Sequence, residues 1–317
     1  MTGRWELGGS GVTLKSMFLR SLLATAAIAA GLTATPSSAA QVQDGCFETQ
    51  SGYTCFAGPY NVGPDGLEIQ EPVDALPEEG YITSARATLV GKNGDPVSVH
   101  KVHLHHAVWV NTEEDDLTCP GLGADRFFAT GKERTRMNLP NGYGYYWSNE
   151  VSIWGMVAHL DAMHGDGQNN VYIKLKLGFT TDPTITPITP VWVDVNGSCT
   201  NDVTFNVPKS TDGKRFRISA PLEMPASGEF IGMGGHLHDG GVRLKLKNNS
   251  TNERMFVSEA IYDKRDRWFL KKMTSFYGVP GKSVAEGDNL ELTAVYKTTR
   301  RWKDAMGIMM LALVQEE

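Results

Sequence analysis

Alternation of apolar and polar residues is the feature that most limits how this chain can fold. Four segments show it clearly: YITSARATLV (81–90), VYIKLKLGF (171–179), VRLKLK (242–247) and NLELTAVY (289–296). Side chains on a β-strand alternate between the two faces of a sheet, so a period of two predicts strands with one buried face. Helical periodicity is nearly absent from the sequence. The chain is therefore predicted to have an all-β fold.

Turn sequences rich in glycine separate these strands at short intervals. The motifs NGD, NGYG, HGDG, NGS and DGG recur along the chain, which holds 34 glycines. Asn-Gly and Asp-Gly pairs favour tight reversals between antiparallel strands. Short strands joined by such turns are typical of β-sandwiches, and we expect a jelly-roll-like arrangement.

A proline-rich segment near the middle of the chain predicts a domain boundary. The stretch TTDPTITPITP (180–190) holds three prolines and no glycine. This composition favours an extended connector over a hairpin. We therefore predict two tandem β-sandwich domains, residues 41–186 and 187–317, each long enough to form its own hydrophobic core.

The first forty residues have the features of a secretory signal. Arg4, Lys15 and Arg20 precede the apolar run LLATAAIAAGL (22–32), and small residues follow it. This order predicts a signal peptide over residues 1–40 that is removed on export. The apolar run is too short for a comfortable membrane span, so stable membrane insertion is not expected. We expect the mature protein to be secreted, in the periplasm or outside the cell.

Cysteine count and net charge narrow the class of function. All four cysteines lie beyond the predicted signal, and an even number in an oxidising compartment favours disulfides. We expect Cys46 to pair with Cys55, while Cys119 and Cys199 either join the two halves of the chain or stay free. The formal net charge of −6 argues against a nucleic-acid partner. We expect a monomer.

The eight histidines are confined to three short segments. Four lie in SVHKVHLHHAVWVN, two in GMVAHLDAMHGDG and two in GGHLHDGG. A single buried histidine is usually an ordinary core residue, but histidines grouped in this way indicate a metal site.

His236 and His238 form the strongest local indication of a metal site. Residues two apart on a strand point to the same face, about 7 Å apart along the strand, so both imidazoles can reach one metal. Asp-Gly-Gly follows and predicts a turn, which places the pair at the edge of a sheet. Asp239 is expected to form this turn or to bond to an imidazole from behind. An exposed polar pair at the end of a hairpin is the alternative interpretation.

His105 and His106 are adjacent, so on a regular strand they face opposite sides. One metal can bind both only if the strand is twisted or bulged, or if the histidines use their Nδ1 atoms. Without such a distortion, His103 and His105 share one face of an amphipathic strand. The sequence leaves both interpretations open.

A methionine-rich segment forms the predicted last strand of the chain. Met306, Ile308 and Met310 share one face of this strand. Methionine on a buried strand is core packing by default. A thioether beside a pair of histidines favours copper over zinc, so Met306 is also a candidate metal ligand.

The paired histidines, the His-x-His motif and the late methionine together resemble the copper type II, ascorbate-dependent monooxygenases. This group includes the peptidylglycine α-hydroxylating and dopamine β-hydroxylating enzymes. The ordered motifs are also similar to those of the plant stress-up-regulated nodulin family. The resemblance spans nearly the whole mature chain. It implies two copper ions, one in each domain, together with ascorbate or a similar reductant, O2 and a small-molecule substrate.

The resemblance also implies a ligand set. Three histidines match the ligands of an electron-donating copper in the first domain: His105, His106 and His159. Three residues match the ligands of an oxygen-binding, catalytic copper in the second domain: His236, His238 and Met306. His164 is a poorer match than His159, and Gly241 matches the glycine that follows the His-x-His motif.

Two positions depart from the peptide-hydroxylating enzymes. Gly234 and Met310 stand where those enzymes carry an arginine and a tyrosine that hold the substrate carboxylate. The resemblance therefore does not imply hydroxylation of peptide C-termini.

Together with the predicted signal peptide, the resemblance implies a secreted dicopper monooxygenase that hydroxylates an unactivated C–H bond with O2 and a reductant, and not one that acts on peptide C-termini. Two alternatives stay open. A secreted copper-binding or copper-buffering protein keeps the ligands without turnover. A zinc-binding or structural-metal protein leaves Met306 as plain core.

Overall fold

The computed structural model describes residues 41–148, 153–165, 167–200, 202–266 and 268–316. The predicted signal peptide lies outside these residues. The described part consists of twenty-one β-strands and one short 3-10 helix, Met163–Gly165, and it contains no α-helix. The prediction of an all-β fold is confirmed.

The strands are numbered β1 to β21 in chain order. Strands β1 to β10 are Gly45–Thr49, Gly52–Val62, Leu67–Asp74, Gly80–Gly91, Val102–Asn111, Asp125–Gly131, Met137–Asn138, Tyr143–Trp147, Ile153–Ala162 and Gln168–Thr180. Strands β11 to β21 are Thr186–Asp194, Phe205–Val207, Phe216–Glu223, Gly228–Leu237, Gly241–Asn248, Glu253–Tyr262, Leu270–Met273, Ser275–Val284, Asn289–Tyr296, Trp302–Ala305 and Gly307–Gln315.

These strands form four sheets in the described part of the chain. The largest has ten strands in the order β1-β2-β10-β4-β8-β11-β21-β14-β18, with β7 paired to β4. A second sheet has the order β3-β9-β5-β6, and a third has the order β13-β19-β15-β16-β17. Strands β12 and β20 form a separate pair.

Two main hydrophobic cores form where the buried faces of the strands meet. One includes Trp109, Trp147 and Trp154, from β5, β8 and β9. The other includes Phe230 and Leu292, from β14 and β19. Because each sheet has one apolar face to bury, the alternation in the sequence leads directly to sheets packed in layers.

The ten-stranded sheet runs through both halves of the chain. Strand β11 pairs in parallel with β8 and antiparallel with β21. The proline-rich stretch predicted as an extended connector therefore enters this sheet, from Thr186 onward. The chain beyond the predicted signal forms one compact unit. The division into domains at residues 186 and 187 stays a prediction.

Both pairs of cysteines form disulfides. Cys46 is bonded to Cys55 across the adjacent strands β1 and β2, as expected. Cys119 is bonded to Cys199, so this pair joins the two halves of the chain. Two disulfides are typical of proteins that fold in an oxidising compartment. Among the described residues, no helix is long and apolar enough to span a membrane.

Candidate metal centre

Strand β5 brings two adjacent histidines to one site through a β-bulge. In its pairing with β9, Leu104 lies opposite Leu160 and His106 lies opposite His159, so His105 is an extra residue in the ladder. A bulge bends the strand and re-aims the side chains next to it. The ring centroids of His105 and His106 are consequently only 5.4 Å apart. This is the distortion that a shared metal requires of two adjacent histidines.

Strand β9 adds an imidazole and a carboxylate to the same site. The ring centroid of His159 lies 5.0 Å from that of His105 and 5.8 Å from that of His106. Asp161 lies 2.7 Å from Nε2 of His159, 2.8 Å from Nδ1 of His105 and 3.1 Å from Nε2 of His103. One carboxylate therefore helps to orient three imidazoles.

Strand β14 ends at this site: His236 lies at its end, and His238 directly follows its last residue, Leu237. The ring centroids of His236 and His238 are 5.1 Å apart. His238 contacts His105 directly, with 3.1 Å between the two Nε2 atoms and 4.4 Å between the ring centroids. The N–H of Gly241 donates to the carbonyl of His238, which closes the expected turn. Histidines that the resemblance assigns to different copper sites are thus in contact.

We term this group of six imidazoles the histidine cluster: His103, His105, His106, His159, His236 and His238. Two sets of side chains in and around it hold their ligand atoms within 4.8 Å of one another. One set is His105, His106 and His238, and the other is His105, His159 and Asp161. Because His105 belongs to both sets, the two candidate metal sites overlap.

Burial keeps part of the cluster uncharged. Burial, followed by the neighbouring imidazoles of His236 and His105, lowers the pKa of His106 to about 3. The pKa of His238 is also lowered well below its usual value, by burial and then by His236 and His105. A neutral imidazole is the form that binds a metal ion, so these two side chains are prepared for coordination.

Carboxylates have the opposite effect on the margin of the cluster. The hydrogen bonds to Asp161 and Glu68 together raise the pKa of His159 to about 9, against the opposing effect of burial. Burial alone would raise the pKa of Asp161, but the imidazoles of His103, His105 and His159 outweigh it, so the pKa is lowered. This carboxylate is therefore held ionised against the histidines.

Glu133 is a buried carboxylate that the sequence analysis did not single out. Its side chain is fully buried, and Oε1 lies 3.1 Å from Nδ1 of His236. The hydroxyl of Thr135 donates to the same oxygen. Nε2 of His236 is buried without a hydrogen-bond partner in the described part of the chain, which leaves it available to a metal. A carboxylate behind an imidazole fixes the tautomer and orientation of a metal ligand.

No local pattern marks Glu133 in the sequence. It lies in GKERT, directly after β6, where two basic residues surround it. Such a segment is typical of an exposed, charged turn. Its proximity to His236 depends on packing between distant segments, which the sequence alone does not reveal.

Met306 lies between β20 and β21. It is buried in a small apolar cluster with Trp192 and Ile308. The hydroxyl of Tyr296 donates to the carbonyl of Met306 and accepts the N–H of His238, so it links the two main chains. The packing is that of a core methionine, and the thioether ligand stays a prediction.

The remaining candidates lie around the cluster. Asp239 lies in the predicted turn, where its carboxylate accepts the N–H of Leu270 and contacts Nζ of Lys132 at 2.7 Å. Gly234 and Met310 lie opposite each other on β14 and β21. The side chain of His164 lies outside the described part of the chain.

The donor set fits copper. Buried ring nitrogens without hydrogen-bond partners occur on His106 (Nδ1) and His236 (Nε2). Imidazole nitrogen is a good ligand for copper, and also for zinc, and a site of several imidazoles with carboxylates behind them is typical of a metal centre.

Two curated proteins are similar to this chain, while no family model matches it. "Probable copper-dependent oxygenase M1" of Phoma sp. is 27% identical over 261 residues, which cover 77% of this chain and 65% of that protein. "Probable copper-dependent oxygenase clz3" of Cochliobolus lunatus is 27% identical over 216 residues, which cover 62% of this chain and 64% of that protein. The chain thus spans just under two thirds of the length of either relative.

Among solved structures, the infectious bursal disease virus VP2 subviral particle matches 82% of this chain and 71% of its own, with 12% identity and a TM-score of 0.25. A TM-score this low supports no conclusion about fold or function.

Proposed function

We propose that this protein is a secreted copper-dependent monooxygenase. It hydroxylates an unactivated C–H bond of a small molecule, with O2 and a reductant such as ascorbate. The observation that carries the proposal is the histidine cluster, in which imidazoles from β5, β9 and β14 meet beside two carboxylates. The names of both relatives support the metal and the class of reaction.

The proposed copper ligands are the six residues that the resemblance implies: His105, His106, His159, His236, His238 and Met306. Support is strongest for His105, His106 and His238, because their ligand atoms lie within 4.8 Å of one another. We propose that copper is bound within the shared histidine cluster rather than at one separate site in each domain. The cluster is proposed to bind two copper ions.

The chain's own residues position the ligands. Glu133 faces Nδ1 of His236 and leaves Nε2 for the metal, and Asp161 restrains His105 and His159 from the other side. Copper, when bound, would supply the one-electron redox chemistry that O2 activation requires. Insertion of one oxygen atom into a C–H bond consumes O2, two electrons and two protons and gives an alcohol and water. A reductant is therefore an obligatory partner.

Peptide C-termini are not the proposed substrate. Gly234 and Met310 stand at the positions where the peptide-hydroxylating enzymes carry the residues that hold the substrate carboxylate. Neither side chain can donate a hydrogen bond to a carboxylate or carry a positive charge.

Redox cycling of bound copper tests the proposal without knowledge of the substrate. Residues 41–317 are loaded with Cu(II), desalted and examined by electron paramagnetic resonance. The Cu(II) signal is expected to disappear with ascorbate under argon and to return on exposure to O2. His238→Ala should weaken the signal, because one of the two proposed ions loses a ligand, whereas His100→Ala, whose ring packs against Phe269 and is not part of the histidine cluster, should leave it unchanged.

Two results would contradict the proposed function. Copper that is bound stably but does not cycle between ascorbate and O2 would indicate a copper-binding or copper-buffering protein. Zinc that is bound in preference to copper would indicate a structural or zinc-dependent site.

A further inference from the structure

A basic cavity of about 320 Å³ lies beside the histidine cluster. Five cationic side chains line it: Arg86, Lys132, Arg134, Lys174 and Lys176. No aspartate or glutamate is among its described lining residues. The protein as a whole carries a net charge of −6, so this concentration of positive charge is a local feature rather than a consequence of composition.

Neighbouring strands place these cations close together. Lys176 on β10 lies directly opposite Arg86 on β4, and Lys174 lies two residues away on the same face. Like charges opposite each other on neighbouring strands destabilise a sheet. The pKa of Arg86 is lowered by burial and then by Arg136 and Arg134, which is a further sign of repulsion among these groups.

Four of the five cations lack an acidic partner. Lys132 is paired with Asp239 at 2.7 Å, but no ion pair involves the other four among the described residues. An anion bound in the cavity would relieve the repulsion among them, because its charge is opposite to that of the whole wall. An anionic ligand in the cavity would therefore offset the unfavourable electrostatic free energy of holding these cations close together.

The rest of the wall is mostly apolar. Leu89, Val97, Val102 and Leu104 are among its lining residues. Small-molecule sites are typically apolar cavities of this size with a few placed polar groups. Cations together with an aliphatic wall suit a molecule that has an anionic head and a hydrocarbon body.

One residue of the wall belongs to the histidine cluster, and a second adjoins it. His103 lines the cavity, and its Nε2 atom lies 3.1 Å from the carboxylate of Asp161. Gly131 lines the cavity as well, and a Cβ atom added there would lie 2.6 Å from Cε1 of His236. The cavity therefore borders the histidine cluster.

We propose that this cavity binds the carboxylate of an amphipathic organic acid and that such acids are the substrate class of the enzyme. The assignment as substrate rests on the proposed function, whereas the binding site does not. Ascorbate is also an organic anion, but it has no hydrocarbon body to contact the aliphatic wall. The cavity therefore fits an acid with an aliphatic chain.

Calorimetric titration of the copper-free mature chain tests the binding site. Octanoate is the probe, octan-1-ol has a similar hydrocarbon body without the charge, and ascorbate has the charge without the body. Octanoate should bind at least about tenfold more tightly than either, a difference of about 1.4 kcal/mol. Its affinity should fall with added sodium chloride, because salt screens the attraction.

Charge-removing variants locate the site. Arg86→Gln combined with Lys174→Gln should weaken octanoate binding at least about tenfold. The variant should melt at the same temperature as the wild type or higher, because a like-charge repulsion is removed. Arg254→Gln combined with Lys272→Gln is the matched control, since it removes two exposed cations that do not line the cavity. This control should bind octanoate as the wild type does.

Two results would overturn the inference. Octanoate affinity equal in the cavity variant and the control would show that the cavity is not the site. Octan-1-ol or ascorbate that binds as tightly as octanoate would contradict the proposed ligand class. Because the titration uses copper-free protein, its failure leaves the copper proposal intact. Octanoate binding without copper redox cycling would retain the site and remove its assignment to a substrate.

Discussion

Strands β5 and β14 supply histidines to the same cluster by different structural means. At the end of β14, His236 lies in the strand and His238 directly follows it, so the two are two residues apart and alternation of the extended chain points both imidazoles to one side. On β5, His105 and His106 are adjacent, and a bulge is needed to bring them together. Ligands that follow the alternation of a regular strand can therefore be predicted from the sequence. Ligands on a bulged strand cannot, because the sequence alone places adjacent residues on opposite faces.

The two strands also differ in the carboxylate that supports their imidazoles. Glu133, beside His236, is fully buried, whereas the side chain of Asp161, beside His105 and His159, is 32% exposed. The β14 side of the cluster is therefore shielded from water, and the β5–β9 side is open to it. An equal role for the two carboxylates is not expected.

The largest expected effect concerns the disulfide that joins the halves carrying the two strands. Cys119 and Cys199 are 80 residues apart, whereas Cys46 and Cys55 are nine apart. Loop-closure entropy predicts a loss of about 4.5 kcal/mol for the double serine variant of the long-range pair and about 2.5 kcal/mol for the local pair. Urea unfolding of both variants measures the difference. Equal losses, or a larger loss for the local pair, would contradict this account.

A smaller effect should separate the two carboxylates. Glu133→Gln and Asp161→Asn remove a charge behind different imidazoles, and such changes weaken metal binding about 10- to 100-fold. We expect the larger loss for Glu133→Gln, because the buried charge is less screened by water. A chelator-competition titration with copper measures both, and Glu286→Gln, at an exposed position, is the control. A larger loss of copper affinity for Asp161→Asn would show that the exposed carboxylate, and not the buried one, supports copper binding more strongly.

A third effect, which depends on pH, concerns stability near β5. Asp125 on β6 pairs with Asn111 of β5, and burial raises its pKa from 3.8 to about 7, although a hydrogen bond from Tyr145 opposes this. The folded protein therefore binds the proton more tightly than the unfolded chain does. The contribution of Asp125 to stability is greatest below about pH 4, falls as the pH rises to about 7 and stays low above it.

Asp125→Asn tests this sign. The variant cannot ionise, so it should melt at a higher temperature than the wild type at pH 8, where 1 kcal/mol corresponds to about 2–4 °C for a chain of this size. At pH 4 the two proteins should differ little, because both side chains are neutral when folded. Thermal melting followed by circular dichroism measures this. If the melting temperature of the wild type instead rises relative to that of the variant as the pH goes from 4 to 8, the side chain of Asp125 is not a buried, protonated carboxyl group.

The sequence predicted features that depend on local patterning. The all-β fold follows from alternation, because a strand with one apolar face must bury it. The Cys46–Cys55 disulfide was predictable because its two cysteines lie close together in the sequence. The bonding of Cys119 to Cys199 was left open, since long-range contacts depend on how the halves pack.

The rest of the site depends on contacts between distant segments. The contact of His105 with His238 joins residues 133 positions apart, and no periodicity encodes it. Lys174 and Lys176 in VYIKLKLGF look like the solvated face of a strand until β4 is placed beside them with Arg86. Glu133 likewise looks like an exposed residue in the sequence, and it is buried beside His236 of β14 only in the folded structure.

Copper analysis of His106→Ala, His238→Ala and the double variant most directly tests whether β5 and β14 serve one metal centre. Each protein is loaded with copper, desalted and titrated with a chelator. A shared cluster predicts that each single variant loses the same tightly bound copper and that the double variant loses no more than either one. If each single variant instead keeps one copper at wild-type affinity, and only the double variant loses both, the two strands serve separate sites and the central claim is wrong.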